Sequence, residues 1–234
     1  MGDPMSDDPT SLGNYSGRAR LFPLPNLVLF PSVVQPLHVF EPRYRQLMED
    51  ALKDDRLIAM ALLQPGWDDD YHKNPPICPV VCLGRVHKEE RLPDGRWNLL
   101  LHGLARARVE SELTTDRPYR VARVRLMQEE EVGSPQKAKD LRGQLGRRVS
   151  RWFAAHEDAL VQLEQLLQGD LTLGALCDVF GFALPIGIEV KQQLLEDADV
   201  EQRARRLIAH LEENAPPEPA KPPSRPFPPD FSAN

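Results

Sequence analysis

The sequence predicts an α+β fold: a curled, barrel-like β-sheet with one short helix, followed by a C-terminal α-helical bundle. Three observations predict it. As far as Leu126 the chain consists of short apolar runs separated by proline and glycine. Asp94-Gly95 sits between two of these runs, the strongest short-range hairpin signal. From about Ala138 the period changes, and apolar residues recur at steps of three and four, as on one face of a helix.

Bulk properties bound the answer first. A chain of 234 residues, 41% hydrophobic and 27% charged, is a globular protein with ample material for a core. No apolar run reaches membrane-spanning length, and the acidic start MGDPMSDDPT lacks the apolar stretch of an export signal. Three cysteines, Cys78, Cys82 and Cys177, make no disulfide framework, so a reducing, cytoplasmic setting is expected. The net charge of −6 is unevenly spread: residues 18–127 carry a mild basic surplus and residues 128–213 an acidic one. That surplus is far below the footprint of a committed nucleic-acid binder, and no DNA partner is expected.

Residues 1–17 are acidic and patternless and read as a disordered arm. The next stretch, LFPLPNLVLFPSVVQPLHVFEPRY, holds two strand-like runs, Leu27–Phe30 and Val33–Phe40, around a Pro31-Ser32 break. Prolines 23, 25, 31 and 36 confine these runs to edges or strand ends, because proline donates no backbone hydrogen bond. Glu41-Pro42 opens a helix whose apolar face is Tyr44, Leu47, Met48, Ala51 and Leu52. Leu57–Leu63 is a buried strand, and QPGWDDDYHKNPP after it is a loop by composition. Ile77–Glu90 and Arg96–Glu110 flank the Leu92–Gly95 turn, and Gly103 marks a bulge or corner where the sheet curls. Arg120–Leu126 alternates as a sixth strand.

Leu141, Leu145, Val149, Trp152, His156, Leu160, Leu163 and Leu167 predict one long amphipathic helix, ended by Gly169. Thr172 caps a second helix, Pro185-Ile186-Gly187 precedes a third, and Asp199 with Gln202 starts a fourth. Short connections imply a compact antiparallel bundle. The expected organisation is an arm at 1–17, a β subdomain at 18–130, a helical subdomain at 131–213 and a Pro-rich disordered tail at 214–234. The tail's PxxP matches at Pro219–Pro222 and Pro223–Pro226 follow from its composition alone.

Several of these stretches resemble one family in the same order. LFPLPNLVLFP through VFEPRYRQLM, Val80–Val86 before LPDGR, and Gly103-Leu104-Ala105-Arg106-Ala107-Arg108-Val109 are similar to the Lon substrate-binding (Lon N-terminal) domain, and so are residues 183–207. The likeness spans roughly residues 20–213. It implies a PUA-like curled sheet and a non-enzymatic module that contacts unfolded polypeptide or a specific protein partner. It also implies a stand-alone member, since no GxxxxGK[ST] phosphate loop, GxSxG elbow or HExxH helix occurs. Hydrolysis of ATP or peptides is therefore not expected.

Chemistry-bearing residues are few. Cys78 and Cys82, four residues apart on an extended segment, stand about 13 Å apart, beyond reach of a disulfide or a shared zinc. The histidines at 38, 72, 87, 102, 156 and 210 show no ligand spacing. Neither cofactor nor metal is expected. Trp67 and Tyr71 are aromatics in a polar loop and, with Phe40 and Tyr44, are the candidate polypeptide-binding residues; packing anchors are the alternative reading. Arg106, Arg108, Arg123 and Arg125 lie with Arg120 on predicted strands and are the candidates for an anionic partner, RNA included; a solvated sheet face is the alternative.

Overall fold

The computed structural model describes residues 12, 15–70, 74–154 and 157–214. The predicted arm falls mostly outside these residues, and the tail does so from residue 215. Six strands come first: β1 Arg18–Leu24, β2 Val34–Val39, β3 Leu57–Leu62, β4 Val80–Arg91, β5 Trp97–Leu113 and β6 Val121–Leu126, with α1 Pro42–Leu52 between β2 and β3. Five helices follow: α2 Pro135–Trp152, α3 Glu157–Gln168, α4 Leu173–Ala183, α5 Ile188–Glu196 and α6 Val200–Glu213. The fold is α+β, as the change of apolar period predicts.

The sheet runs β2-β5-β4-β3-β1-β6, and β6 also pairs with β5, which closes five strands into a ring. Strand β5 makes this possible by its length. Its residues 97–102 pair with β2 and its residues 107–113 pair with β6. All pairings are antiparallel except β1 with β3. Alternate residues of the ring, Ala19, Leu21, Ala59, Ala61, Val81, Leu83, Ala107, Ala122 and Val124, form one buried cluster inside it. Mostly small side chains suit the narrow interior of so small a barrel. The opposite face of these strands, with Ile58, Met60, Leu62, Val80 and Cys82, joins α1 and the helices in a second, larger core.

Two glycines shape this barrel. Gly95 adopts φ +83 in the β4–β5 turn, a conformation other residues resist. At Gly103 a side chain's first carbon would stand 2.0 Å from the Phe30 carbonyl oxygen. Ser32 and Val33 exchange backbone hydrogen bonds with Gly103 there, at 2.9 and 2.8 Å. The β4–β5 register shifts at the same place.

Two segments differ from expectation. Leu27–Phe30 is not a strand. It is an irregular segment, buried at Val28, Leu29 and Phe30, that runs between prolines 25 and 31. The first strand is Arg18–Leu24, whose Pro23 lies beyond the β1–β6 pairing of residues 18–20. The single long helix is two, α2 and α3, separated at Phe153-Ala154 with residues 155 and 156 outside the described set. Helix α3 returns alongside α2: Arg142 donates to the carbonyls of Leu167, Leu171 and Gly169, and Gly146 leaves room for Leu167. The other helix starts are where the caps place them. Thr172 accepts from the Ala175 amide at 3.1 Å, and Asp199 accepts from those of Glu201 and Gln202 at 2.8 and 3.1 Å.

One ionic cluster joins sheet and helices. Arg106 of β5 is bound at two points by Asp178 of α4, and it reaches Glu129 at 2.7 Å and the Leu195 carbonyl at 3.1 Å. Arg203 of α6 reaches Glu129 at 2.6 Å and the Asp197 carbonyl at 2.8 Å.

Candidate functional site

Strand β2 lies on the outside of the sheet, hydrogen-bonded to β5 alone. Its alternation sends Val33 and Val39 into the core with Leu37 packed against it, while Val34, Pro36, His38 and Phe40 face solvent. Phe40 is 60% exposed and Val34 46%, large apolar side chains left outside on an otherwise well-buried β half. The Phe40 ring stacks on His38 with centroids 6.3 Å apart, and His38 Nδ1 hydrogen-bonds Asn98 Oδ1 at 2.8 Å. Beside this row is a groove of about 460 Å³, lined by Pro36, Leu37, His38, Lys88, Glu90 and Leu100.

The backbone edge of β2 is blunted. Pro36 has no N–H, and its carbonyl accepts from Gln35 Nε2 at 2.6 Å. A partner strand adding to this edge would lose two hydrogen bonds mid-strand. The side-chain face, not the edge, is what this strand offers.

The structure separates the four aromatic candidates. Phe40 is on the surface just described. Tyr44 is a correction: it is 3% exposed, its ring centroid lies 4.3 Å from that of Phe22, and its hydroxyl points to the Pro23 carbonyl at 3.5 Å. It sits on the buried face of α1. Trp67 is half-buried at the start of a 3-10 turn, Trp67–Asp70. Tyr71 lies outside the described residues, as do His72 and His156.

The arginines separate as well. Arg106 is a second correction: at 2% exposure, held by Asp178 and Glu129, its charge is spent inside the fold. It shares a strand face with Arg108, but the helices cover that face at Arg106 and leave it open at Arg108. Arg108, Arg123 and Arg125 are exposed. The register adds a residue that the sequence reading missed: Arg18 of β1 lies directly opposite Arg123. The signal was present, since Arg18-Ala19-Arg20 repeats the alternation of Arg106-Ala107-Arg108, but it stood at the border of the supposed arm.

A polar cleft of about 730 Å³ opens between β1, the end of α1 and the segment before β6. Several of its charges pair with one another. Arg20 meets Asp54 at 2.5 Å and Asp55 at 2.6 Å; Arg117 and the Tyr119 hydroxyl meet Asp50 at 2.7 and 2.6 Å. Burial alone would raise the Asp50 carboxyl, but hydrogen bonds from Tyr119 and Gln46 and the Arg117 charge hold it below the usual range. The buried thiols are equally ill-suited to chemistry: burial pushes Cys82 far up and Cys177 to about 12. Among the described residues no group of three His, Cys, Asp or Glu is placed to hold a metal ion, and no helix is long and apolar enough to cross a membrane.

Comparison with known proteins places this geometry. Residues 18–213 match the family model of the ATP-dependent protease La (LON) substrate-binding domain. Lon protease 2 of Herpetosiphon aurantiacus is 29% identical over 219 residues, 88% of this chain and 26% of that protein. Lon protease 2 of Sorangium cellulosum is 30% identical over 211 residues, 89% of this chain and 26% of that one. The chain thus spans about a quarter of the length of these relatives. Among solved structures, the N-terminal domain of Mycobacterium avium complex Lon protease superposes with a TM-score of 0.66 at 17% identity, covering 84% of this chain and 99% of that one. The Lon N-terminal domain protein from Xanthomonas campestris gives 0.59 at 23% identity, with 82% and 97% covered. The chain belongs to the Lon substrate-binding domain family.

Proposed function

We propose that this protein is a non-catalytic recognition module that captures exposed apolar segments of unfolded polypeptide on the outer face of β2. The observation that carries the reading is the solvent-facing row Val34, Pro36, His38 and Phe40 beside a mostly apolar groove. An unfolded chain displays apolar side chains at alternate positions when extended, and such a row accepts them without joining the blunted backbone edge. Membership of a substrate-binding family supports the same reading, as analogy rather than mechanism. The buried, unactivated thiols and the partly self-paired polar cleft fit a binding protein better than an enzyme. A cytoplasmic location fits the free thiols.

The test is a titration of the purified chain with a labelled, permanently unfolded polypeptide and with a labelled single-stranded RNA, each at two salt concentrations. Apolar capture predicts polypeptide binding that changes little with salt. Binding of RNA alone, falling steeply with salt, contradicts it. Binding of neither points to a specific folded partner and also contradicts it.

A further inference from the structure

Four arginines line up on the outer face of the barrel, on strands other than β2. Arg18 of β1 lies opposite Arg123 of β6, and Arg125 of β6 lies opposite Arg108 of β5. All four are exposed, because their neighbours Ala19, Ala122, Val124 and Ala107 take the interior positions. Residues directly opposed on an antiparallel pair hold their Cβ atoms roughly 4.5–5.5 Å apart, and like charges there are destabilising. Two such pairs in succession work against folding. Other arginines of the β half are neutralised: Arg20, Arg56 and Arg120 each meet a carboxylate. Among the described residues, Arg125 has one ion partner, Glu110 at 3.3 Å, and Arg18, Arg108 and Arg123 have none.

Spacing gives the ligand. A guanidinium is a planar fork that matches a carboxylate, so two side by side form a clasp for one acid group. Arg123 and Arg125 are two residues, about 6.6 Å, apart on β6, and their partners flank that strand on opposite sides, which sets the two clasps roughly 8 Å apart on a line oblique to the strands. An extended peptide repeats its same-side side chains about 6.6–7 Å apart, close enough that flexible Asp or Glu side chains reach both clasps when the peptide crosses the strands obliquely. We propose that this face binds an extended acidic polypeptide segment with Asp or Glu at alternate positions. One carboxylate sits between Arg18 and Arg123, the next between Arg125 and Arg108. Nucleic acid fits less well, because β1, β5 and β6 expose no aromatic side chain on which a base could stack.

This surface is separate from the Phe40 row, so the two are tested independently. The probe is a short fluorescein-labelled peptide with glutamate and serine alternating, read by anisotropy against the full chain. A peptide of the same composition with its glutamates contiguous, and a uridine RNA of equal charge, are the comparisons. The alternating peptide is expected to bind best. Arg125→Gln and Arg123→Gln should each weaken it about tenfold, the worth of one charge-assisted hydrogen bond, while Phe40→Ala leaves it unchanged. Both arginine variants should melt no lower than the parent, since each removes a like-charge pair. Equal affinity for the contiguous peptide or the RNA, unaltered binding in the variants, or a lowered Tm in them would each overturn the proposal.

Discussion

Arg106 and Asp178, 72 residues apart in sequence, hold each other at two points where sheet meets helices, with Nη1 2.9 Å from Oδ2. Neither side chain sees solvent to any useful extent. Removing one partner of such a pair strands a buried charge, whereas the intact pair contributes little beyond an apolar replacement. Asp178→Ala leaves Arg106 and Arg203 sharing Glu129 alone, and it should destabilise the protein by about 3–5 kcal/mol in urea unfolding. The double variant Arg106→Met, Asp178→Leu should lose clearly less than the two single changes added together.

Asp199 offers a pH-dependent test. Its carboxylate accepts from the Gln202 and Glu201 amides at the start of α6, and those bonds hold it below the ordinary carboxyl range. An acid depressed in the folded state stabilises above its unfolded pKa and loses that contribution as pH falls through its folded pKa. Asp199→Ala should therefore cost about 1 kcal/mol at neutral pH, as loss of a helix cap does. The gap between variant and parent should close in acid. A gap of constant size down to low pH would show that the carboxylate is not the capping group.

Gly103 tests the close approach of β5 to the Pro31 bend. The Phe30 carbonyl occupies the place of any side chain there, and backbone cannot move aside as a flexible side chain does. Gly103→Ala should destabilise by about 1–3 kcal/mol or more, the range for overpacking, as measured by urea unfolding. Gly133→Ala, with nothing within 4 Å of the added carbon, should change stability little.

These positions also show what the sequence discloses. Asp94-Gly95, Gly103, Pro42, Thr172 and Asp199 announce themselves because a turn, a close contact or a cap demands that residue type locally. Leu27–Phe30 misleads because burial, not pairing, explains its apolar run: Leu29 and Phe30 are fully buried without belonging to a strand. The α2–α3 hairpin misleads because two helices that both bury a stripe of leucines keep one period across the turn between them. For the site, Phe40 is legible as an aromatic beside a proline-broken strand. Tyr44 is buried, and the signal was there in its place on the apolar face of α1 with Leu47, Met48 and Ala51; its packing on Phe22 realises it. Arg106 and Arg108 are alike in sequence; Asp178, brought in by the helices, makes one structural and leaves the other free.

The reading of the β2 face rests most directly on Phe40. The measurement is the affinity of Phe40→Ser for a labelled unfolded polypeptide, beside its melting temperature, with the parent as reference. Because Phe40 is 60% exposed, the substitution should leave Tm nearly unchanged and weaken binding about tenfold, the loss of one apolar anchor of roughly 1.5 kcal/mol. Undiminished affinity in a folded Phe40→Ser protein would contradict the account and remove the β2 face from the binding site.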